Sequence, residues 1–236
     1  MVLCDFDNHS VKLVNLESNR LVSSLRLSSR PWDVCEIPGQ QVAVTLPCEG
    51  KIQVISTHGQ LTLTSRIKTR NDCRGIRYWQ NTLIVTFSDG SVRIMDRKGN
   101  VVREMDNTKA GYQLFKCPLY VTVDNKGSAL YVSNEGKNTI TKTDLTLKAV
   151  ATIENKAIRA PYGMFPLDDH HLLVCGHSSH NVMLVNTETQ EVRVVLSRDQ
   201  GIQAPVCVSY SQELRKLYVT SYSCDSVKVF AMRNCS

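Results

Sequence analysis

The sequence predicts an all-β chain in which a unit of four short antiparallel strands is repeated about six times. One observation is an aliphatic strand that recurs along the chain every 40 to 48 residues. Another is a second strand that precedes each copy of the aliphatic strand by about eight residues. A turn rich in Asn, Asp, Gly and Ser separates the two strands. In addition, no segment keeps a 3.6-residue apolar period, so we expect very little helix. Four strands in a unit of ~43 residues are typical of a propeller blade, so we predict a six-bladed β-propeller.

The third strand of each unit opens on an aliphatic anchor residue. In five of the six units a second aliphatic residue follows two places on, and this period of two is typical of a β-strand. The fourth unit breaks the pattern at Lys142. The six anchors are Val11, Ile52, Val92, Ile140, Val182 and Val227.

The other strands of each unit follow from the same comparison of repeats. Second strands are predicted at the runs MVLCDF, QVAVTL, TLIVTF, ALYVSN, LLVCGH and KLYVTS. First strands are predicted in the segments that start at Arg30, Cys73, Cys117, Ala160 and Ala204. Fourth strands are predicted in those that start at Arg20, Gly59, Gly99, Lys148 and Glu191.

We predict a single propeller domain over residues 1–236, with units at about 1–29, 30–72, 73–116, 117–159, 160–203 and 204–236. The first unit lacks a first strand and the last unit lacks a fourth. The sequence therefore predicts 22 strands, whereas six four-stranded blades have about 24. The two missing strands would be adjacent in chain order, just before Met1. We therefore expect the sequence to be a fragment or truncated isoform of a longer propeller, incomplete by about two strands at its N-terminus.

Composition places the chain among ordinary globular proteins. Apolar residues make up 42% of it and charged residues 21%, and the net charge of +6 permits an anionic partner without requiring one. No segment has the pattern of a signal peptide or a membrane helix, so we expect no membrane partner. The nine cysteines include no C-x-x-C pair, and we interpret them as reduced thiols of a cytoplasmic protein. Neither the zinc-ligand clusters of a RING or B-box nor the heptads of a coiled coil occur.

The repeats resemble NHL-repeat propellers. The segment from Pro118 to Ile140 has the pattern Pro, apolar strand, Asp-x-x-Gly, Leu-Tyr-Val, Asn turn and aliphatic strand, and Pro205 to Val229 has a similar one. The phrases RPWDV, DCRGI and VTFSDGSVRIMDRKGNV are similar to the C-terminal propellers of tripartite-motif (TRIM) ubiquitin ligases of the invertebrate type. The resemblance implies recognition of a protein substrate or partner in a ubiquitin-ligase context. Alternatively, it implies binding of single-stranded RNA.

The candidate binding surface is the propeller face formed by the turns between second and third strands and by the links that enter each first strand. Basic side chains with interleaved aromatic rings can hold phosphates and stack bases, or can bind a protein partner. Such mixed charges also commonly do no more than keep loops soluble. The candidate partner-binding residues are Arg30, Trp32, Lys51, Arg70, Arg74, Lys116, Lys137, Arg159, Tyr162 and His177.

Metal and catalytic sites are not expected. In the segment DDHHLLVCGHSSH, a strand of ~20 Å separates the first histidine pair from the second. Cys175, His177 and His180 could meet, but zinc would need a fourth ligand. Metal-dependent lactonases with six blades need several converging carboxylates and amides, and the first strands offer only Asp33 and Asp124. We therefore predict no catalytic residue, no metal and no cofactor, and expect that the chain is not an enzyme. A metal-dependent hydrolase or lactonase is the least favoured alternative.

Overall fold

The computed structural model describes residues 1–105 and 114–232. The chain divides into two compact units, Met1–Leu114 (unit 1) and Phe115–Ser236 (unit 2). Each unit contains three antiparallel sheets, and these six sheets are the blades of a β-propeller. The described residues form 22 strands and three single-turn 3-10 helices, with no α-helix among them. The predicted all-β propeller with almost no helix is therefore confirmed.

Unit 1 is built of the sheets β1-β2-β3, β4-β5-β6-β7 and β8-β9-β10-β11, in which each strand pairs with the next strand of the chain. A single-turn helix, Pro47–Glu49, connects the two middle strands of the second sheet. The strands are β1 (Val2–Asp5), β2 (Ser10–Asn15), β3 (Arg20–Arg26), β4 (Val34–Ile37), β5 (Gln41–Leu46), β6 (Lys51–Ser56), β7 (Thr62–Lys68), β8 (Cys73–Trp79), β9 (Thr82–Phe87), β10 (Val92–Asp96) and β11 (Val101–Met105).

Unit 2 repeats this plan with the sheets β12-β13-β14-β15, β16-β17-β18-β19 and β20-β21-β22. Its single-turn helices are Glu135–Lys137 and Arg198–Gln200. The strands are β12 (Pro118–Val123), β13 (Ala129–Asn134), β14 (Thr139–Asp144), β15 (Ala149–Glu154), β16 (Pro161–Pro166), β17 (His171–Gly176), β18 (Asn181–Asn186), β19 (Val192–Leu196), β20 (Pro205–Ser211), β21 (Lys216–Ser221) and β22 (Lys228–Ala231).

The strand pattern follows the repeats of the sequence closely. Within the described residues the first and last sheets each have three strands, as predicted. The expectations that the chain is a single domain and that two further strands precede it stay predictions. The break in the fourth repeat also has a physical explanation: Lys142 pairs across the sheet with Tyr131, and its ammonium lies 5.8 Å from the centroid of that ring. A cation over an aromatic face replaces the expected aliphatic contact.

Strands in the middle of a blade are apolar at almost every position because both faces of the sheet are covered. In β5, Val42 and Val44 pack toward β2 of the preceding sheet, whereas Ala43 packs toward β8 and β9 of the following one. Unit 2 shows the same division in β17, where Leu172 and Leu173 belong to different core clusters. Burial on both faces produces near-continuous apolar runs in place of the usual alternation.

Successive blades within each unit meet through their first strands. In unit 1, β8 contacts β4 and β5. In unit 2, β16 contacts β12 on one side and β20 on the other. Segments that enter the first strands of neighbouring blades are thereby brought close together, and these segments carry most of the candidate binding residues. Among the described residues, no helix is long and apolar enough to cross a membrane.

Replacing Tyr131 with Ala should destabilise the chain strongly. Tyr131 is 1% exposed and packs in the core between the first two blades of unit 2. Deleting a buried aromatic ring costs about 3–5 kcal/mol because it removes transfer free energy and leaves a cavity. The measurement is the free energy of unfolding in urea. Val150→Ala is the control, since Val150 is 61% exposed on β15 and its truncation should cost no more than about 0.5 kcal/mol. Equal effects of the two changes would contradict this assignment of the core.

Candidate functional site

Unit 1 carries a stack of two arginines and two aromatic rings, called here the Arg–aromatic stack. The guanidinium carbon of Arg30 lies 5.0 Å from the centroid of Phe6. Phe6 meets Trp32 edge to face, with the centroids 6.0 Å apart. The guanidinium carbon of Arg74 lies 4.2 Å from the Trp32 ring. The stack therefore joins a turn after β1, the link into β4 and the first residues of β8.

Buried Thr45 holds the backbone of this stack in place. The N–H of Trp32 donates to the carbonyl of Thr45 at 3.0 Å, and the N–H of Thr45 donates to the carbonyl of Asp33 at the same distance. The Thr45 hydroxyl donates to the carbonyl of Arg74 at 2.7 Å. Because Thr45 is fully buried, these hydrogen bonds are shielded from water and fix the two strand entries against each other.

The carboxylate of Asp33 also links the second and third blades of unit 1. It accepts the N–H of Val34 at 2.8 Å and the N–H of Ile76 at 2.9 Å. Burial raises the pKa of Asp33 to about 6, although the two N–H donors and the nearby charge of Arg77 favour the ionised form. The other acid of the first strands, Asp124, accepts the N–H and the hydroxyl of Ser128, each at 2.6 Å. Both carboxylates thus bind backbone or turn groups of the chain itself.

Two other cations of unit 1 are paired with carboxylates. The Lys51 ammonium lies 2.7 Å from Glu49, which also accepts the hydroxyls of Ser28 and Ser29 at 2.6 Å each. Although partial burial opposes the shift, the hydrogen bonds from Lys51 and the serines lower the pKa of Glu49 to about 2. Arg70 forms an ion pair with Asp89. These pairs reduce the positive charge that unit 1 can offer to a ligand.

Unit 2 carries a row of four rings, called here the aromatic row. Tyr120 and Tyr162 are tilted toward each other with their centroids 6.0 Å apart. Tyr162 stacks on His177 at 4.4 Å, and His177 meets Tyr222 edge to face at 6.0 Å. Burial lowers the pKa of His177, and the neighbouring His180 lowers it further. Both effects favour the neutral form of the stacked imidazole.

A basic cleft of about 450 Å³ also lies in unit 2, between the start of β14, the end of β15 and the link that follows it. It is lined by Lys137, Asn138, Thr139, Glu154, Asn155, Lys156, Ile158 and Arg159. Within residues 1–105 and 114–232, Lys156 and Arg159 form no ion pair. The cleft therefore keeps cationic side chains that the chain does not neutralise.

Lys116 lies beside the turn that leads into this cleft. A Cβ atom added at Gly136 would lie 2.6 Å from the Lys116 carbonyl oxygen and 2.9 Å from its Cγ. A side chain at position 136 would thus collide with Lys116, so glycine is needed for this close approach. The side chain of Lys116 is exposed.

The structure divides the ten candidate partner-binding residues among five settings. Three lie in the Arg–aromatic stack, two in the aromatic row, two in the basic cleft, two in ion pairs and one beside the cleft. In that order they are Arg30, Trp32 and Arg74; Tyr162 and His177; Lys137 and Arg159; Lys51 and Arg70; and Lys116. Their role in binding stays a prediction.

Sequence reasoning missed several residues of these sites, among them Phe6, Tyr120, Tyr222 and Lys156. A signal existed for two of them. Phe6 and Tyr222 both follow the second strand of their blade directly, at the start of the turn that the repeats had already marked. Aromatic rings at that place reach a link or a turn of a neighbouring blade, and a comparison of the turn tips would have found them.

The histidine-rich segment separates into different settings. His171 contacts Asp168 at 2.9 Å, and His170 lies 3.0 Å from Glu188. Nδ1 of His180 accepts the N–H of Ala204 at 3.0 Å. Cys175 is fully buried among apolar side chains, and burial raises the pKa of its thiol well above the usual range. No group of three or more metal-ligating side chains occurs in the part of the chain that the structure describes.

Comparison with known proteins supports the fold and names no family. No family model matches the chain, and no curated protein matches it. Among solved structures, a streptogramin B lyase covers 99% of this chain and 79% of its own, with a TM-score of 0.70 at 14% identity. Hydrazine synthase of Kuenenia stuttgartiensis covers 98% and 92%, with a TM-score of 0.69 at 15% identity. A protein of unknown function from Bacteroides caccae covers 92% and 81%, with a TM-score of 0.71 at 14% identity.

The expectation that the chain is not an enzyme is wrong. Two of the similar structures, the lyase and hydrazine synthase, are enzymes with this propeller fold. The propeller architecture therefore occurs in enzymes, so the lack of familiar catalytic motifs in the sequence does not argue against catalysis. Neither the NHL nor the TRIM assignment receives support from these comparisons beyond the propeller fold itself.

Asp33 should make stability depend on pH in the acid range. Its pKa is about 6 in the folded chain, against an ordinary value of 3.8. Between these values the folded chain holds the proton more tightly than the unfolded chain. The contribution of Asp33 to the free energy of unfolding is therefore largest below pH 4, falls as pH rises from about 4 to about 6, and is constant above that range.

The measurement is urea unfolding of the wild type and of Asp33→Asn between pH 3.5 and pH 7. The difference in stability between the two proteins should change across the window from about pH 4 to about pH 6. Glu17→Gln, which alters an exposed turn carboxyl of the same unit, is the matched control. A wild-type-minus-variant difference that is flat over this range would show that Asp33 titrates normally.

Proposed function

We propose that the chain recognises a partner protein through the Arg–aromatic stack of unit 1, and that the contacted segment of the partner carries carboxylates. The observation that carries this proposal is that the side chains of Arg30 and Arg74 each contact an aromatic ring and pair with no carboxylate of the described residues. Within the described residues, no carboxylate lies within ion-pairing distance of Arg30 or Arg74. Arg30 lies over the ring of Phe6, and Arg74 lies over the ring of Trp32.

Stacking prepares these arginines for a ligand. A guanidinium held on an aromatic face loses little further freedom on binding, and its planar fork matches a carboxylate in two hydrogen bonds. The Nε atom of Arg74 is buried and makes no hydrogen bond in the described part of the chain.

The residue types also favour protein recognition. Tryptophan and arginine dominate the energetics of many protein interfaces, because one side chain offers apolar area together with directed hydrogen bonds. The stack supplies both kinds of side chain on a backbone that Thr45 fixes in advance. A preorganised anchor lowers the entropy cost of association.

The expected setting in a TRIM-like ubiquitin ligase is part of this proposal and rests on the sequence motifs alone. In that setting the bound segment would belong to a protein that the ligase modifies. Single-stranded RNA is the alternative ligand, because its bases could stack on Phe6 and Trp32 while its phosphates pair with Arg30 and Arg74. Recognition of either ligand is compatible with a reaction catalysed elsewhere on the chain.

Replacing Arg74 with Ala should weaken binding of an acidic peptide about tenfold or more. A bidentate arginine–carboxylate contact contributes about 1.5–3 kcal/mol, and a tenfold change corresponds to about 1.4 kcal/mol. The measurement is fluorescence anisotropy of a labelled peptide rich in Glu and Asp. Arg103→Ala is the control. Arg103 is an exposed arginine of β11 in the same unit, so its replacement removes the same charge.

Two results would contradict the proposal. One is equal loss of affinity in Arg74→Ala and Arg103→Ala, which would mean that only net charge matters. The other is binding of a labelled single-stranded RNA pool, with a steep salt dependence, by a chain that ignores the acidic peptide. The second result would establish the RNA alternative in place of protein recognition.

A further inference from the structure

A carboxylate, an imidazole and a phenol occupy three equivalent positions of unit 2. Each position is the first residue after the second strand of its blade, and in chain order the three residues are Glu135, His177 and Tyr222. The first strands of the three blades are in contact, β12 with β16 and β16 with β20. The blades are therefore neighbours, and the position of His177 lies between the other two.

The backbone holds these three positions in the same way. In each blade the N–H of this residue donates to the carbonyl of the residue just before the first strand, at 3.1, 3.0 and 2.9 Å in chain order. The three acceptors are Cys117, Ala160 and Ala204. The N–H of Ala204 also donates to Nδ1 of His180 at 3.0 Å, which ties the turn of His177 to the turn of Tyr222. The three side chains therefore project from a backbone that binding need not order.

Three rings of the aromatic row form what is called here the aromatic corner: Tyr162, His177 and Tyr222. The imidazole of His177 stacks on Tyr162 with an angle of 15° between the ring planes. The ring of Tyr222 stands at 77° to the imidazole, with the centroids 6.0 Å apart. Tyr222 is 63% exposed, so a ligand can reach its ring from solvent. Within the described residues, no lysine or arginine side chain lies over the ring of Tyr222.

The carboxylate of Glu135 acts on this corner. Burial lowers the pKa of His177 and His180 lowers it further, whereas Glu135 raises it, so Glu135 lies within electrostatic reach of the imidazole. Lys137, in the same turn as Glu135, does not contribute to this shift. Glu135 forms no ion pair in the part of the chain that the structure describes. Its negative charge is therefore available to a cation held at the corner.

We infer that the aromatic corner, with Glu135 beside it, binds a quaternary ammonium group. A cation is attracted to the negative face of an aromatic ring, and tyrosine rings serve this purpose well. A primary ammonium has three N–H donors, and moving them from water to aromatic rings would leave them without acceptors. A quaternary ammonium has no donor to desolvate, and its methyl groups pack against the rings. The carboxylate of Glu135 would compensate its positive charge.

The quaternary ammonium belongs either to a small molecule such as choline or to a trimethylated lysine of a protein, and the two sources share this chemistry. The inference shares no residue with the Arg–aromatic stack. Failure of the protein-recognition proposal would therefore leave it unaffected, and the converse also holds.

The test is isothermal titration calorimetry of the full chain with choline. The matched ligand control is 3,3-dimethylbutan-1-ol, which has the shape of choline but a carbon in place of the charged nitrogen. Choline should bind saturably, and the neutral compound should bind at least about tenfold more weakly because it lacks the attraction of a cation to the rings. Equal binding of the two compounds, or no saturable heat with choline, would overturn the inference.

Two substitutions at Tyr222 separate the aromatic face from simple apolar contact. Tyr222→Phe keeps the ring and should change choline binding less than about threefold, whereas Tyr222→Leu keeps apolar area without the ring and should weaken it about tenfold. Both variants should fold, because the side chain is largely exposed, and circular dichroism checks this. Choline binding by Tyr222→Leu as tight as by the wild type would equally contradict the inference.

Glu135 provides a second arm of the test. Glu135→Gln should weaken choline binding about threefold to tenfold, since it removes the compensating charge. Glu213→Gln is the matched control: it removes an exposed carboxyl from the turn between β20 and β21, at the other end of β21 from Tyr222, and should leave binding unchanged. Equal effects of the two changes would mean that only net charge matters.

Titrations with a peptide that carries trimethyllysine, and with the same peptide carrying unmodified lysine, separate the two sources. Tighter binding of the trimethylated peptide than of choline identifies a protein side chain as the ligand, and tighter binding of choline identifies a small molecule. Equal affinity for the trimethylated and unmodified peptides would show that the corner does not select a quaternary ammonium and would overturn the inference.

Discussion

The rest of the structure depends on one constraint: each blade has two apolar faces, and each face must be covered by a neighbouring blade. A single four-stranded sheet such as β4-β5-β6-β7 buries Val44 on one side and Ala43 on the other. Neither face could be left in water without losing about 25 cal/mol for each Å² of apolar surface. The sequence repeats as a consequence, because every blade has to bury two apolar faces and does so with the same pattern of strands.

This packing also determines where binding groups can lie. First strands of successive blades contact one another inside each unit, so the links that enter them converge with the turns between second and third strands. The core fixes these segments through groups such as Thr45 and Ile158, which are fully or almost fully buried. Side chains in the turns and links then vary from blade to blade without cost to the fold. For example, the single-turn helix between the second and third strands ends at Glu49 in one blade and at Lys137 in another.

Most of the fold could be predicted from the sequence because a strand buried on both faces leaves an unmistakable apolar run. The candidate binding residues were harder to predict. Arg30, Trp32 and Arg74 could be placed on one surface from the repeat, but their stacking on each other and on Phe6 depends on which turn tip meets which strand entry. The pairing of cations with acids, as at Lys51, depends on rotamers that no pattern reveals. The absence of catalytic motifs was a poor guide, since similar propellers include a lyase and hydrazine synthase.

Trp32 lies in the Arg–aromatic stack and can therefore report directly whether a carboxylate-bearing ligand binds there, as proposed. The chain has two tryptophans, so a Trp79→Phe variant leaves Trp32 as the one indole that fluoresces. Titrating this variant with the acidic peptide should produce a saturable change in tryptophan emission, with a midpoint equal to the dissociation constant from anisotropy. Saturable binding by anisotropy with no change in Trp32 emission would place the ligand elsewhere and contradict the account.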